Sequence, residues 1–171
     1  MRLVIFVKLE NLECQSLEQN LKYYSKERYL TLKQHLKLLI EMKIYDKKKK
    51  LLAEIIKFEQ IRNDKNFYTN EDQEFQFASF NLIKGTSIDR HIHNEQERVI
   101  HSTSEVIVVL EGSIKVQIYD LDHNLEHECE LSTGDSIALY SGGHGLQTTT
   151  DAKFIEVKQG PYDQVNDKRL F

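Results

Sequence analysis

Glycine and proline are missing from the first half of the chain: all seven glycines and the single proline, Pro161, lie at or after position 85. Residues 13–62, rich in Leu, Lys, Glu and Gln, therefore contain no strong breaker, which argues against short strands and tight turns there and for two or three helices. Cysteine is scarce too. Cys14 and Cys129 stand far apart, so a structural disulfide is not expected and both read as reduced thiols. Long hydrophobic runs are absent. The opening stretch has an apolar core of five residues, 3–7, too short for a signal-peptide core or a membrane span. The expectation is a cytoplasmic protein with no membrane partner.

The 171 residues are 40% hydrophobic, enough for one domain with a real core plus an extension. The formal charge of −4 conceals an asymmetry: residues 1–70 hold 15 Lys+Arg against 9 Asp+Glu (+6), and residues 71–171 hold 8 against 18 (−10). In the basic part Leu17, Leu21 and Tyr24, then Leu32, Leu36, Leu39 and Ile40, recur at spacings of three and four, which gives one apolar helical stripe. Leu51, Leu52, Ile55 and Ile56 continue it. The first 65 residues thus read as an α-helical extension, packing on the rest of the chain or on a second copy, with a homodimer the expected assembly. The run Lys47, Lys48, Lys49 and Lys50 has no interleaved aromatics and no recognition-helix pattern beside it, so it reads as a solvated loop or helix start, and no nucleic-acid partner is expected.

After residue 66 the period changes. Segments 75–84, 87–93, 105–110, 113–120, 126–131, 136–140 and 153–159 read as short strands divided by Gly, Asp and Asn turn signals. Ile114, Val116 and Ile118 alternate with Lys115, Gln117 and Tyr119 as in a half-buried strand, and 106–110 is apolar throughout, as in a central one. The fold class expected is mainly β, an antiparallel barrel or jelly roll over 66–171.

Potential metal ligands are placed along these segments. His91 and His93 flank Ile92, so on an extended strand both project to one face. Glu105 opens the apolar segment that closes at Gly112, and His144 follows Gly134-Asp135 in the turn Gly142-Gly143-His144-Gly145. Three imidazoles and a carboxylate suit Fe, Mn, Ni, Co or Zn as a divalent ion and leave two octahedral positions for water or substrate. Glu97 competes for the carboxylate place, four residues after His93, but lies in a polar run; Glu105, on a strand, is preferred.

The spacings Gly85-x5-His91-x-His93 and Glu105-x6-Gly112, followed by Gly134 and His144, resemble the paired motifs of the cupin superfamily. The resemblance departs at the gap of eleven residues between His93 and Glu105, where three or four are usual, and at Tyr140-Ser141-Gly142-Gly143-His144, where Pro-x-Gly-x-x-His is common. The stretch 67–171 also looks like a group of small bacterial cupins of unassigned activity, through His91-Ile92-His93-Asn94, Gly142-Gly143-His144-Gly145, Lys158-Gln159-Gly160-Pro161-Tyr162 and Asp167-Lys168. The resemblance implies a cupin jelly-roll barrel holding a divalent metal on His91, His93, Glu105 and His144, with a hint of carbohydrate chemistry.

Open metal positions permit polarisation of a carbonyl or binding of dioxygen. The sequence therefore suggests a metal-dependent enzyme acting on a small polar ligand such as a sugar, by isomerase, epimerase or lyase chemistry. The alternatives are an Fe(II)-dependent dioxygenase and a non-catalytic binding or sensing module. Candidate catalytic groups are Lys158, as an anion binder, and the phenols Tyr162 and Tyr140. His101 lies in the inserted 94–104 loop, and His123 and His127 flank an apparent hairpin turn.

Overall fold

A computed structural model describes residues 43–163 and 165–171 of the chain. Most of the helical extension expected over 1–65 lies outside the described residues; its last part, from residue 43, is in view and is β structure. The strands are β1 Lys43–Tyr45, β2 Leu51–Ile56, β3 Asn66–Phe67, β4 Ala78–Ser79, β5 Glu105–Glu111, β6 Ser113–Tyr119, β7 Leu125–Ser132, β8 Ser136–Leu139, β9 Gly143–Thr148 and β10 Lys153–Lys158. One turn of 3-10 helix, Phe58–Gln60, follows β2. All pairings are antiparallel, as the mainly β reading expected.

The helix expected at 51–56 is corrected to a strand. Leu52 through Ile56 are all buried, because β2 lies inside the five-stranded sheet β1-β2-β8-β5-β10, and a strand buried on both faces has the same continuous apolar run as a buried helix. The lysine run is the hairpin turn feeding it. Asp46 Oδ1 accepts the backbone N–H groups of Lys48 and Lys50, each at 2.8 Å, a side-chain-to-backbone closure that favours a turn over a helix start.

A second sheet, β7-β6-β9, lies against the first, and β3 pairs with β4 in a separate ribbon. The facing surfaces form one core. Ile44, Ala53, Ile55, Ile107, Val109, Ile137 and Leu139 come from the larger sheet, and Ile114, Val116, Ile118 and Leu131 from the smaller. Each fully buried aliphatic side chain contributes about 1.5–3 kcal/mol of transfer free energy, so this layer between sheets is the main stabilising feature of the described region. Ile114, Val116 and Ile118 supply the inward face of β6, as their alternation indicated.

Two sequence-motif residues hold turns at one end of this sandwich. Gly112 joins β5 to β6 with φ +75°, and a Cβ there would sit 1.9 Å from the Asp151 carbonyl oxygen. Asp135, before β8, accepts N–H groups from Ser132 (2.9 Å) and Phe58 (3.1 Å) and pairs with Lys57 Nζ at 2.7 Å. Burial raises its carboxyl, but these donors outweigh burial and hold it below its ordinary range. Asp135 is therefore a structural staple between β8 and the segment after β2.

The segment 87–93 is the clearest departure on the β side. It has no strand partner among the described residues, and every residue of 80–103 is exposed. Alternating Ile88 and Ile92 give β propensity without a ladder, and propensity alone does not order a strand. Among the described residues no helix is long and apolar enough to cross a membrane.

Candidate functional site

Glu105 shares a face of β5 with the core residues Ile107 and Val109, so its side chain enters the space between the sheets at one end. Across the ladders it stands opposite Leu139 of β8 and Lys158 of β10. His144 comes from the other sheet. It is opposite Ile118 of β6, a core residue, so it too faces inward. Glu105 Oε2 and His144 Nε2 lie 3.1 Å apart, with 14% and 33% of their side chains exposed.

Although Glu105 Oε2 is buried, it meets no donor in hydrogen-bond alignment. The close polar contact with His144 holds the Glu105 carboxyl below its ordinary range; Lys158 adds to this, and burial opposes it. Lys158 Nζ lies 3.8 Å from Glu105 Oε1 and 2.6 Å from Asp167 Oδ2. Its hydrogen bond to Asp167 keeps it charged beyond the ordinary lysine range. These groups line a cleft of about 680 Å³, with Glu156 on the same wall.

Glycines shape the rim. Gly142 has φ +77°, and a Cβ would fall 2.1 Å from the Tyr119 carbonyl oxygen, so the bend into β9 that presents His144 requires glycine. Gly143 lies under the Phe171 ring, where a Cβ would be 2.7 Å from two ring carbons. Phe171 also stacks on His123 (centroids 4.2 Å apart, planes at 12°) and meets Tyr119 edge-on at 5.3 Å. Residues 167–171 thereby form part of the cleft wall.

The structure brings together half of the expected ligand set. The His91 and His93 rings lie edge to face with centroids 5.0 Å apart, on a segment that joins no ladder among the described residues. They are exposed, and His91 Nδ1 lies 2.8 Å from the Asp89 carbonyl oxygen. Among the described residues no group of three His, Cys, Asp or Glu side chains gathers around one point. Glu97 is on the same exposed segment, whereas Glu105 is the carboxylate beside His144. His101 is bound elsewhere: its N–H donates to Glu74 Oε2 at 2.9 Å and its Nδ1 lies 2.5 Å from Glu74 Oε1.

Of the catalytic candidates, Lys158 is in the cleft and the two phenols are outside its lining. Tyr140 follows Leu139 at the end of β8. Because alternate residues face opposite sides, its hydroxyl is turned toward buried Glu54, and burial raises it well above the ordinary phenol range. The Tyr162 ring is exposed, with Lys158 Nζ 5.0 Å from its centroid. Sequence reasoning gave no role to Phe171 or to the Asp167 carboxylate. Nothing in their local spacing signals the contacts they make.

A family profile described as a domain of unknown function (DUF6016) matches residues 45–131, just over half of the chain. The matched stretch runs from the end of β1 into β7 and includes Glu105, while His144 and Lys158 lie beyond it. No curated protein and no solved structure matches the chain.

Proposed function

The chain belongs to the DUF6016 family, and on that premise, which carries no activity, we propose that it is a divalent-metal protein of cupin type whose cleft acts on a small polar ligand. The observation that carries this reading is the meeting of Glu105 and His144 from opposite sheets at 3.1 Å. Two adjacent ligands about 2.1 Å from an octahedral ion lie about 3.0 Å from each other. The carboxylate oxygen in question is buried and has no aligned donor, which is what a metal-facing oxygen requires. A carboxylate and an imidazole at that spacing suit a transition metal, and His91 and His93, which do not gather with the pair among the described residues, would be the remaining ligands.

A metal held there would supply Lewis acidity toward a carbonyl of the ligand. Lys158 provides a fixed positive charge at the edge of the pair, and the Glu156 carboxylate on the same wall can accept a proton. A cation and a carboxylate in one cleft favour isomerase, epimerase or lyase chemistry on a sugar-like substrate over a purely structural metal. An Fe(II) dioxygenase is the variant reading, marked by iron as the bound metal, and a binding or sensing module is the non-catalytic one. A homodimer belongs to the same proposal, since Ile83, Ile88, Ile92 and Val99 present apolar surface of the kind a second copy covers.

Metal content tests the reading. Protein purified without chelator or added metal is expected to hold about one equivalent of a transition metal, and Glu105→Ala or His144→Ala to lose most of it. Wild type without metal, or variants that keep it, would overturn the proposal.

A further inference from the structure

Lys158 is the cation that β10 presents to the cleft, whose lining also includes Lys168 and Arg169 of the 167–171 segment, and two carboxylates attend it on different terms. Glu105 is carried by β5, which is paired on both sides, by β8 and β10, and its oxygen stays at 3.8 Å. Asp167 is closer, at 2.6 Å, and belongs to a segment outside every ladder. That segment is turned by Asp163, whose Oδ1 accepts the N–H groups of Val165 (2.9 Å) and Asn166 (3.2 Å). Beyond Asp167, among the described residues, 168–170 make no hydrogen bond or ion pair with the sandwich, and the Phe171 ring meets His123, Tyr119 and Gly143. The same residues, 167–171, form one wall of the cleft.

We propose that Asp167 is an internal occupant of an oxyanion subsite headed by Lys158, and that a ligand bearing a carboxylate or phosphate displaces it and lifts residues 167–171 away from the cleft. The geometry allows this exchange. A charge-assisted contact at 2.6 Å with a carboxylate is the interaction an incoming oxyanion would make with the same ammonium. The segment that leaves breaks no sheet hydrogen bonds. What it gives up is one ion pair and the packing of one phenylalanine ring, and an aromatic stack of this kind is reversible at modest cost. Displacement also releases His123 and the Gly143 surface beside His144, so a ligand anchored on Lys158 reaches toward the Glu105 and His144 pair. The subsite deepens the proposed function by naming the charge class of the ligand, and it rests on the cleft being the binding site.

The experiment uses full-length protein stripped of metal, titrated by calorimetry with inorganic phosphate and, separately, with malonate, so that the two sources of the oxyanion are distinguished. Asp167→Asn removes the internal competitor and is expected to bind at least one probe about tenfold or more tightly than wild type. Lys158→Met is expected to abolish that binding, and Lys158→Arg to retain it. The ring-current shift that the His123 stack imposes on the Phe171 ring protons is expected to disappear from the NMR spectrum when wild type is saturated with the tighter probe. Equal affinities in wild type and Asp167→Asn, binding that survives Lys158→Met, or a Phe171 ring shift unchanged by the probe would overturn the inference. Because the titrations need no metal, they can succeed where the metal reading fails, and the reverse.

Discussion

Glu54 is buried on β2 with Lys43 Nζ 3.9 Å away, and burial raises its carboxyl to about 7, against the opposing pull of Lys43 and the Tyr140 hydroxyl. A carboxyl whose folded pKa is raised holds its proton more tightly in the native state. Its stabilising contribution is therefore complete below the unfolded value near 4.5 and lost as pH rises through about 7. A shift of that size corresponds to something on the order of 3 kcal/mol. Glu54→Gln is expected to remove that dependence, so urea unfolding at pH 5 and pH 8.5 should show a smaller loss at the higher pH in the variant than in wild type. Equal losses would contradict the assignment. Cys129 gives a second prediction at this scale. Burial pushes its thiol up to about 11, so peptide-level mass spectrometry should find it alkylated slowly at pH 7.5 in native protein and quickly in urea.

The same scale shows how much of the site was legible. Glu105 is preferred to Glu97 in the sequence because it opens a strand while Glu97 lies in a polar run, and the structure sets Glu105 beside His144 and Glu97 on the exposed segment. His144 was identifiable by type and by its glycine-rich surroundings, and those glycines have a steric cause at Tyr119 and Phe171. Tyr140 lies outside the cleft lining and beside Glu54, a placement that depends on the pairing of β8 with β2, where the sequence reads as helix. Asp167 lies near Lys158 through the turn at 165–167, where its N–H donates to the Asp163 carbonyl oxygen.

At the scale of elements, β5 and β6 begin where the apolar run, the alternation and the turn residues indicate, at Glu105 and Ser113. The burial of β6 alternates residue by residue and β5 opens a continuous apolar run, both local signals that a single sequence carries. The β2 strand was invisible for the opposite reason. Leu, Ala and Glu favour helix in isolation, and only pairing with β1 and β8 decides otherwise. The 87–93 segment errs in the other direction, with strand-like residues and no ladder among the described residues. Gly112→Ala tests the β5–β6 turn: positive φ and a 1.9 Å approach to Asp151 O should destabilise the protein by about 2 kcal/mol or more, read as a lower urea midpoint. Ile107→Ala, fully buried between the sheets, should cost about 2–5 kcal/mol. A loss under 1 kcal/mol would mean that the inter-sheet layer is not the stabilising core.

Across the described residues, two sheets pack over one aliphatic core, and charged residues of both sheets line a cleft. The mainly β class and most strands of 105–158 could be read from period and turns. The cleft could not, since it depends on which sheet each strand joins. A homodimer predicts a mass of about twice 20.1 kDa by light scattering, and a monomeric mass would remove that part of the proposal.

The central claim is that His91, His93, Glu105 and His144 hold one metal ion. It is tested most directly by calorimetric titration of Co(II) into chelator-stripped full-length protein, alongside His144→Ala and the double variant His91→Ala, His93→Ala. The account predicts one saturable equivalent in wild type and a loss of at least about a hundredfold in affinity in each variant. No saturable binding in wild type, or the same affinity without His91 and His93, would contradict it.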